Sequence, residues 1–257
     1  MSTIQTRLGD LFYLRGGAPS DLGPIVLLHG MGMATTSYDD VRPGLEAVTE
    51  VIAIDFPGHG ESPARAGELT VLDLADGIAE AIDALALGPV NLVGNSLGAM
   101  TALEIAATYP EKVRRLVLVG CPGWDGRFRA EAIRNSAARW AAAADAPTTT
   151  VESLAGMFTA PTASLADRVE QSRRRSRASI GQAGQAVYTH DTLGRAFSVR
   201  ASTLLLVGER DVVTPDQQRF LRAIPDAKLA LFENAGHYPQ VDDPERFVQT
   251  VLEFLRH

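Results

Sequence analysis

The sequence predicts an α/β protein with a mostly parallel, doubly wound sheet of eight strands and an inserted helical lid. Short apolar runs such as "IVLL" and "VIAI" suit strands that are buried on both faces. These runs alternate with stretches of helical periodicity, which is typical of a parallel sheet covered by helices. Between Cys121 and Arg200 the alternation stops, and that segment has helical stretches without a convincing strand. We therefore expect a helical insertion over one end of the sheet.

The predicted strands begin near the amino terminus with a pair joined by a turn at Gly9-Asp10. The later runs are apolar, short and bounded by glycine or loop residues, which is the pattern expected of strands. In chain order the strands are Ile4–Arg15 (the pair), Ile25–Gly30, a run from Val51, Val90–Gly94, Arg115–Gly120, Ser202–Gly208 and Ala227–Glu233.

The first long helix is predicted after Thr70, where Thr70 and Asp73 match a capping box and Gly88-Pro89 is a stop signal. Its apolar residues recur at helical spacing: Leu72, Ala75, Ile78, Ile82 and Leu85. Further helices are predicted over Leu97 to about Tyr109, from Ser164, from Thr214-Pro215 and from Asp243-Pro244.

A chain of 257 residues, of which 46% are hydrophobic, is long enough for one large domain with an insertion. We predict a core of residues 1–121 and 201–257, and a helical lid of residues 122–200 that we call the cap. The formal net charge of -7 disfavours a nucleic-acid binder, because phosphate contacts need a basic face. The single cysteine, Cys121, excludes an internal disulfide and the cysteine spacings of zinc sites.

The first residues lack the basic and then apolar order of a signal peptide, and no stretch is apolar over the length that a bilayer requires. The lone cysteine fits a reducing compartment. We therefore expect a soluble, cytoplasmic protein that is a monomer or a homodimer. Its expected partner is a small-molecule substrate, with no nucleic acid and no membrane.

The stretch "LVGNSLGAM" places Ser96 between two glycines, directly after an apolar strand. In an open parallel sheet, ligands bind beyond the carboxyl ends of the strands. Gly94 and Gly98 form the pattern G-x-S-x-G with Ser96, and small residues at these positions allow a sharp turn from strand to helix that exposes the hydroxyl. An ordinary tight turn would show the same pattern, so the rest of the chain must decide between them.

A serine hydroxyl is a poor nucleophile at neutral pH and needs a base that is oriented by a third group. His237, in "NAGHYP", follows the last predicted strand and so lies at the same end of the sheet as Ser96. Asp211, in "VGERDVVTP", follows the preceding strand and can accept the proton on the far nitrogen of that histidine. Glu209 is a neighbouring carboxylate that could substitute for Asp211.

The order Ser96, Asp211, His237, with each residue in a loop after a strand, resembles the α/β-hydrolase family. Four further motifs support the resemblance: "HGMG" from His29, "DFPGHGES" from Asp55, "GERDVVTP" from Gly208 and "AGHYPQVDDPERF" from Ala235.

The resemblance implies the α/β-hydrolase fold and an oxyanion hole formed by the backbone N–H groups of Met31 and Leu97. It also implies that His29 shapes its loop, that His59 is structural, and that no cofactor or metal is required. Family members with an aspartate nucleophile, such as haloalkane dehalogenases, are disfavoured because position 96 is serine.

The cap occupies the place where family members carry a lid that sets substrate shape. The pocket candidates, each of which could instead pack the cap onto the core, are Trp124, Phe128, Trp140, Phe158 and Tyr238. The run Arg173–Arg177 could attract a carboxylate-bearing substrate, but a solvated helix face is the favoured interpretation. Glu170 and Arg174 are spaced for a pair at i and i+4.

The expected function is that of a serine hydrolase acting on a small ester, lactone or related carbonyl substrate. "GNSLG" and Tyr238 resemble meta-cleavage product hydrolases, enol-lactonases and small carboxylesterases. Many of the first group have Trp at the position of Tyr238, so carbon-carbon bond hydrolysis is kept as a second hypothesis. A cofactor-free perhydrolase (haloperoxidase), a lyase and a hormone-type ligand receptor on the same fold are also compatible with these residues.

Overall fold

The computed structural model describes residues 2–125 and 148–257. Its centre is an eight-stranded sheet with the strand order β1-β2-β4-β3-β5-β6-β7-β8. The strands are β1 (Ser2–Thr6), β2 (Gly9–Gly16), β3 (Ile25–Leu28), β4 (Val51–Ile54), β5 (Val90–Asn95), β6 (Val113–Val119), β7 (Ser202–Gly208) and β8 (Lys228–Phe232). β2 pairs antiparallel with β1 and β4, and all the other pairs are parallel. The predicted fold class is confirmed.

Helices cover both faces of this sheet. In the described residues they are α1 (Arg42–Glu46), α2 (Val71–Ala84), α3 (Leu97–Thr108), α4 (Ala163–Ser176), α5 (Ile180–Thr189), α6 (Thr192–Ala196), α7 (Gln217–Ala223), α8 (Pro239–Asp242) and α9 (Pro244–Arg256).

Alternate residues of the central strands pack into two separate cores. On β3, Val26 and Leu28 join the cluster that includes α2 and α3, whereas Ile25 and Leu27 join the cluster that includes α1 and α9. This division follows from the two-residue period of a strand, because successive side chains point to opposite faces. A strand buried on both faces must then be apolar throughout, as the runs in the sequence are.

The turn between β1 and β2 lies at Arg7-Leu8, so the expected position at Gly9-Asp10 was wrong. Gly9 pairs with Thr6 of β1, and Asp10 pairs with Gln5. Gly9 and Asp10 therefore belong to β2 and not to the turn. Gly9 has a φ of +94°, which glycine tolerates at the point where the chain enters the strand. Arg7 also forms ion pairs with Asp76 and Glu80 of α2, which tie the turn to that helix.

The capping box of α2 is confirmed: the Thr70 hydroxyl accepts a hydrogen bond from the Asp73 N–H, and the Asp73 carboxylate accepts one from the Thr70 N–H. One residue of its predicted apolar face was misplaced, because Leu72 is 49% exposed. The buried stripe runs instead through Val71, Leu74 and Ile78, which are spaced at three and four residues.

The described part of the cap comprises α4, α5 and α6, which lie between β6 and β7 in the chain. α4 begins one residue before the expected Ser164, because Thr162 is its N-cap and accepts a hydrogen bond from the Leu165 N–H. A small apolar cluster joins the cap to the core, and it includes Met33, Leu154, Phe158, Val169 and Tyr238. In the parts of the chain that the structure describes, no helix has the length and apolar character to cross a membrane.

Candidate active site

Ser96 lies at the sharp turn between β5 and α3. Its φ of 53° and ψ of -113° place it in a conformation that residues with a side chain rarely adopt. The Ser96 N–H donates to the Val119 carbonyl at 2.9 Å, and the Ser96 carbonyl accepts from the Met100 N–H at 3.0 Å. The surrounding backbone thus holds the strained conformation, which is typical of functional sites.

The two glycines are required by close backbone contacts around this turn. A Cβ at Gly94 would collide with the backbone of Gly98, and a Cβ at Gly98 would collide with the carbonyl of Leu28 on the neighbouring strand. Within residues 90–106, Ser96 is the one residue that is not buried. The turn therefore presents a serine hydroxyl at the surface of an otherwise closed region.

His237 and Asp211 form a hydrogen-bonded pair at the same edge of the sheet. The His237 Nδ1–H donates to Asp211 Oδ2 at 2.7 Å. The Asp211 side chain is fully buried, whereas that of His237 is 17% exposed. This bond fixes the tautomer that leaves Nε2 free to accept a proton.

The end of β6 lies between the serine and this pair. Val119 accepts the Ser96 N–H, and a Cβ at the next residue, Gly120, would lie 2.9 Å from Asp211 Oδ2 and 3.1 Å from His237 Nδ1. Within the described residues the Ser96 hydroxyl makes no hydrogen bond to the His237 ring. Such bonds are often long before a substrate is bound. Ser96 and the Asp211–His237 pair therefore both lie at the end of β6.

The backbone N–H groups of Met31 and Leu97 donate no hydrogen bond to any residue that the structure describes. Leu97 is the first residue of α3, and the first N–H groups of a helix have no partner within the helix. The N-terminus of a helix also carries a partial positive charge. Both donors can therefore bind an anionic oxygen.

Two buried histidines support the loops after β3 and β4. His29 donates from Nδ1 to the Gly30 carbonyl at 2.8 Å and accepts the Phe56 N–H at Nε2 at 3.0 Å. Burial lowers the pKa of His29 to about 4. Burial, together with the neighbouring His29, lowers the pKa of His59 to about 3. Both rings are neutral at pH 7, and His29 acts as a fixed link between two loops.

The predicted pocket residues have different positions. Phe158 and Tyr238 are each 2% exposed and stack on one another, with ring centroids 4.8 Å apart. Trp124 contacts the ring of Tyr188 at 5.3 Å and packs against the core. Phe128 and Trp140 lie outside the described residues. In this structure the described three pack the cap onto the core, and their role toward a substrate stays a prediction.

The Arg173–Arg177 run is largely engaged in contacts of its own. Arg174 pairs with Glu170 at 2.6 Å, as the spacing predicted, and Arg175 pairs with Glu61 of the core. Arg173 donates to the Thr149 hydroxyl at 3.2 Å.

In residues 2–125 and 148–257, no group of three or more His, Cys, Asp or Glu side chains could hold a metal ion.

Sequence reasoning did not identify Asn95, although it lies within the G-x-S-x-G pattern. Its Nδ2 donates to the carbonyl of His237 at 3.0 Å and contacts that of Val119 at 3.3 Å. It therefore links the serine turn to the histidine loop, 142 residues along the chain. The polar residue between Gly94 and Ser96 was the one signal in the sequence, but its partner is visible only in the fold.

Residues 25–250 match the profile of the "Alpha/beta hydrolase family". A pimeloyl-[acyl-carrier protein] methyl ester esterase of Neisseria meningitidis is 27% identical over 94% of this chain and 96% of the relative. A 2-hydroxy-6-oxononadienedioate/2-hydroxy-6-oxononatrienedioate hydrolase of Burkholderia vietnamiensis is 28% identical over 90% and 86%. The crystal structure of an enol-lactonase from Burkholderia xenovorans superposes with a TM-score of 0.82 at 22% identity, over the whole of both chains.

Proposed function

Because the chain belongs to the alpha/beta hydrolase family, we propose that it is a serine hydrolase that cleaves a small ester or lactone through an acyl-enzyme on Ser96. One observation carries the proposal. An accessible serine with a strained backbone lies beside a His237–Asp211 pair that is joined at 2.7 Å. A nucleophile, a base and a residue that orients the base are the elements that serine acyl transfer requires.

In the proposed first step, His237 Nε2 takes the proton of the Ser96 hydroxyl while Oγ attacks the carbonyl carbon of the substrate. The carbonyl oxygen becomes an oxyanion, which accepts hydrogen bonds from the N–H groups of Met31 and Leu97. Asp211 stabilises the imidazolium that forms. The bond to the leaving alcohol then breaks, and His237 gives its proton to that alcohol.

In the proposed second step, water attacks the ester formed on Ser96. His237 takes a proton from the water and returns it to Ser96 Oγ when the acyl bond breaks, which releases the acid. A lactone substrate follows the same path, with its own alcohol remaining attached to the product. His237 carries out every proton transfer in this scheme.

The substrate class rests on similarity to proteins of named activity. The Neisseria relative is named a methyl ester esterase, and its match extends over nearly the whole of both chains. The apolar cluster that joins the cap to the core near Tyr238 is compatible with a substrate that has an apolar acyl part. We further propose a small-molecule substrate as the partner.

The test is pre-steady-state release of p-nitrophenol from short-chain p-nitrophenyl esters. The parent protein is expected to show a burst followed by turnover, and Ser96→Ala is expected to lower the rate by about a thousandfold or more. Ser198→Ala, at an exposed serine, is the matched control and should behave like the parent. Full activity in Ser96→Ala would overturn the assignment of the nucleophile.

Hydrolysis of a carbon-carbon bond is a second candidate, which is favoured by the similarity to the Burkholderia vietnamiensis hydrolase. Such an enzyme would cleave a vinylogous diketone and release a carboxylic acid. Loss of the diketone's visible absorbance during turnover, with no burst on p-nitrophenyl esters, would select this reaction over ester hydrolysis. Binding of a ligand without turnover would instead indicate a receptor.

A further inference from the structure

Residues 157–159 of the cap lie directly against the loop that carries His237. The His237 N–H donates to the carbonyl of Met157 at 2.8 Å. Phe158 stacks on Tyr238, with an angle of 14° between the rings. The main chain of the proposed base is therefore hydrogen-bonded to the cap on one side and, through its own carbonyl, to Asn95 of the core on the other.

Asp242, the last residue of α8, joins the same two segments with its two carboxylate oxygens. Oδ1 accepts the N–H of Thr159 at 2.9 Å, and Oδ2 accepts the N–H of Gly236 at 2.7 Å. Hydrogen bonds to a charged acceptor are stronger than those between neutral groups. A single side chain thus fixes a cap residue relative to the residue that precedes His237.

Gly236 packs so closely against Met157 that a larger side chain would not fit between them. A Cβ at Gly236 would lie 2.5 Å from the carbonyl oxygen of Met157, a distance at which the cap segment would have to move. Gly236 and Ala235 are both buried. The His237 loop and residues 157–159 therefore pack as one unit.

We infer that Asp242 is a positioning residue, which holds His237 in reach of Ser96 by fastening its loop to residues 157–159 of the cap. The inference rests on the proposed function, since it assigns to Asp242 the placement of the proposed base. The base is then in place only while this segment of the cap is docked. A displacement of about 1 Å in a reacting group can lower a rate by about a hundredfold.

The kinetic test replaces Asp242 with asparagine, which keeps the shape but presents an NH₂ group to one of the two N–H donors. Asp242→Asn is expected to lower kcat at least about tenfold, with KM changed less than about twofold. The number of competent sites is counted from the final extent of fluorophosphonate labelling, so that loss of folded protein is not read as loss of rate.

Two variants bracket this result. Asp242→Glu keeps a carboxylate and should recover part of kcat. Asp243→Asn is the matched control, because Asp243 is the adjacent acid and the N-cap of α9, a role that asparagine also fills. Equal kcat values for Asp242→Asn and Asp243→Asn would overturn the inference.

A second pair of variants tests the same contact without changing a charge. Gly236→Ala should lower kcat because the added methyl group displaces residues 157–159. Gly181→Ala, in α5 of the cap, places a Cβ more than 4 Å from every described residue outside its own stretch of helix and should leave kcat unchanged. Unchanged kcat in Gly236→Ala would contradict the proposed packing.

Amide hydrogen exchange provides a readout that does not depend on activity. Asp242→Asn should speed exchange at Thr159 and Gly236, which it contacts, and also at His237, which it does not contact. Unchanged protection at His237 would overturn the inference. If Ser96→Ala is inactive while Asp242→Asn has full kcat, the inference fails and the proposed function stands. If the parent turns over no substrate, the proposed function fails, and exchange at His237 still decides whether Asp242 holds the loop.

Discussion

The carboxyl edge of the sheet and the cap are held in place by different forces. At the sheet edge, Ser96 and His237 are fixed by backbone hydrogen bonds and by an acid, Asp211, whose side chain is fully buried. The described cap helices are attached to the core by buried apolar side chains of α4, α5 and α6 and by ion pairs at the surface, such as that between Arg168 and Asp40, whose side chains are 26% and 40% exposed. Buried backbone hydrogen bonds hold a geometry that solvent does not easily disturb. Exposed ion pairs, in contrast, add little to the free energy of unfolding.

The two regions are therefore suited to different tasks. The reacting groups need a geometry held within fractions of an ångström, and close-packed backbone provides it. A lid needs to admit and release ligands, and weak polar contacts allow that. Residues 157–159 of the cap lie directly against the backbone of the His237 loop, where a Cβ at Gly236 would lie 2.5 Å from the Met157 carbonyl oxygen.

After the loss of the nucleophile in Ser96→Ala, the largest expected effect comes from Asp211→Asn at the sheet edge. Asparagine would favour the wrong tautomer of His237, so kcat should fall by about 10⁴, which corresponds to about 5.5 kcal/mol of transition-state stabilisation. Steady-state ester hydrolysis measures this effect. Asp226→Asn, at an exposed residue with a φ of 56° that asparagine also tolerates, is the control. Retention of activity in Asp211→Asn would shift the role to another carboxylate, such as Glu209.

Acid should lower the free energy of unfolding because two histidines are buried in the folded protein. Because the pKa of His29 is about 4 and that of His59 about 3 in the folded protein, the unfolded chain binds more protons below its histidine pKa of about 6.5. The free energy of unfolding should therefore fall as the pH drops from about 6.5 toward 4, by on the order of 2 kcal/mol per imidazole at pH 5.

Urea unfolding at pH 7 and pH 5 measures this effect, and His257→Gln, at the exposed last residue, should not change it. NMR titration should show that the rings of His29 and His59 stay neutral at pH 5. Equal stability at the two pH values would show that these imidazoles are not held neutral by burial.

A smaller effect is expected at a contact between the cap and the core that includes a buried acid. Glu104 of α3 is 3% exposed, and its Oε2 accepts a hydrogen bond from Arg195 Nε at 2.8 Å. The same oxygen lies 3.5 Å from His190 Nε2. Arg195→Gln should lower the free energy of unfolding by on the order of 2 kcal/mol, because a buried carboxylate loses its main partner. Urea unfolding of Arg195→Gln and of the double variant with Glu104→Gln separates the charge from the packing. The double variant should be the more stable of the two.

The smallest effect is expected at the exposed pair of Arg175 with Glu61. The two side chains are 55% and 37% exposed, so a double-mutant cycle with Arg175→Ala and Glu61→Gln should give a coupling of less than about 1 kcal/mol. Raising the salt concentration should lower that coupling further. A coupling as large as that of Arg195 with Glu104 would remove the distinction between exposed and buried contacts of the cap.

The sequence was most informative where a local pattern has a local cause. The apolar runs predicted the strands, since a strand buried on both faces has to be apolar at every position. Thr70 and Asp73 predicted the start of α2, because a capping box needs only residues three apart. Leu72 was misplaced because the apolar pattern admits more than one stripe, and the sheet decides which stripe is buried.

The sequence by itself determined the order of the strands along the chain, the glycine-flanked serine and the loops that carry Asp211 and His237. Only the tertiary structure decided that Gly98 must be glycine because the carbonyl of Leu28 lies against it, and that Asp242 joins a cap segment to the histidine loop. The physical reason is range. Propensity, capping and periodicity act between residues a few positions apart. Gly98 and Leu28, in contrast, are about 70 positions apart, and Asp242 and Thr159 are 83 positions apart, so these residues meet only once the chain has folded.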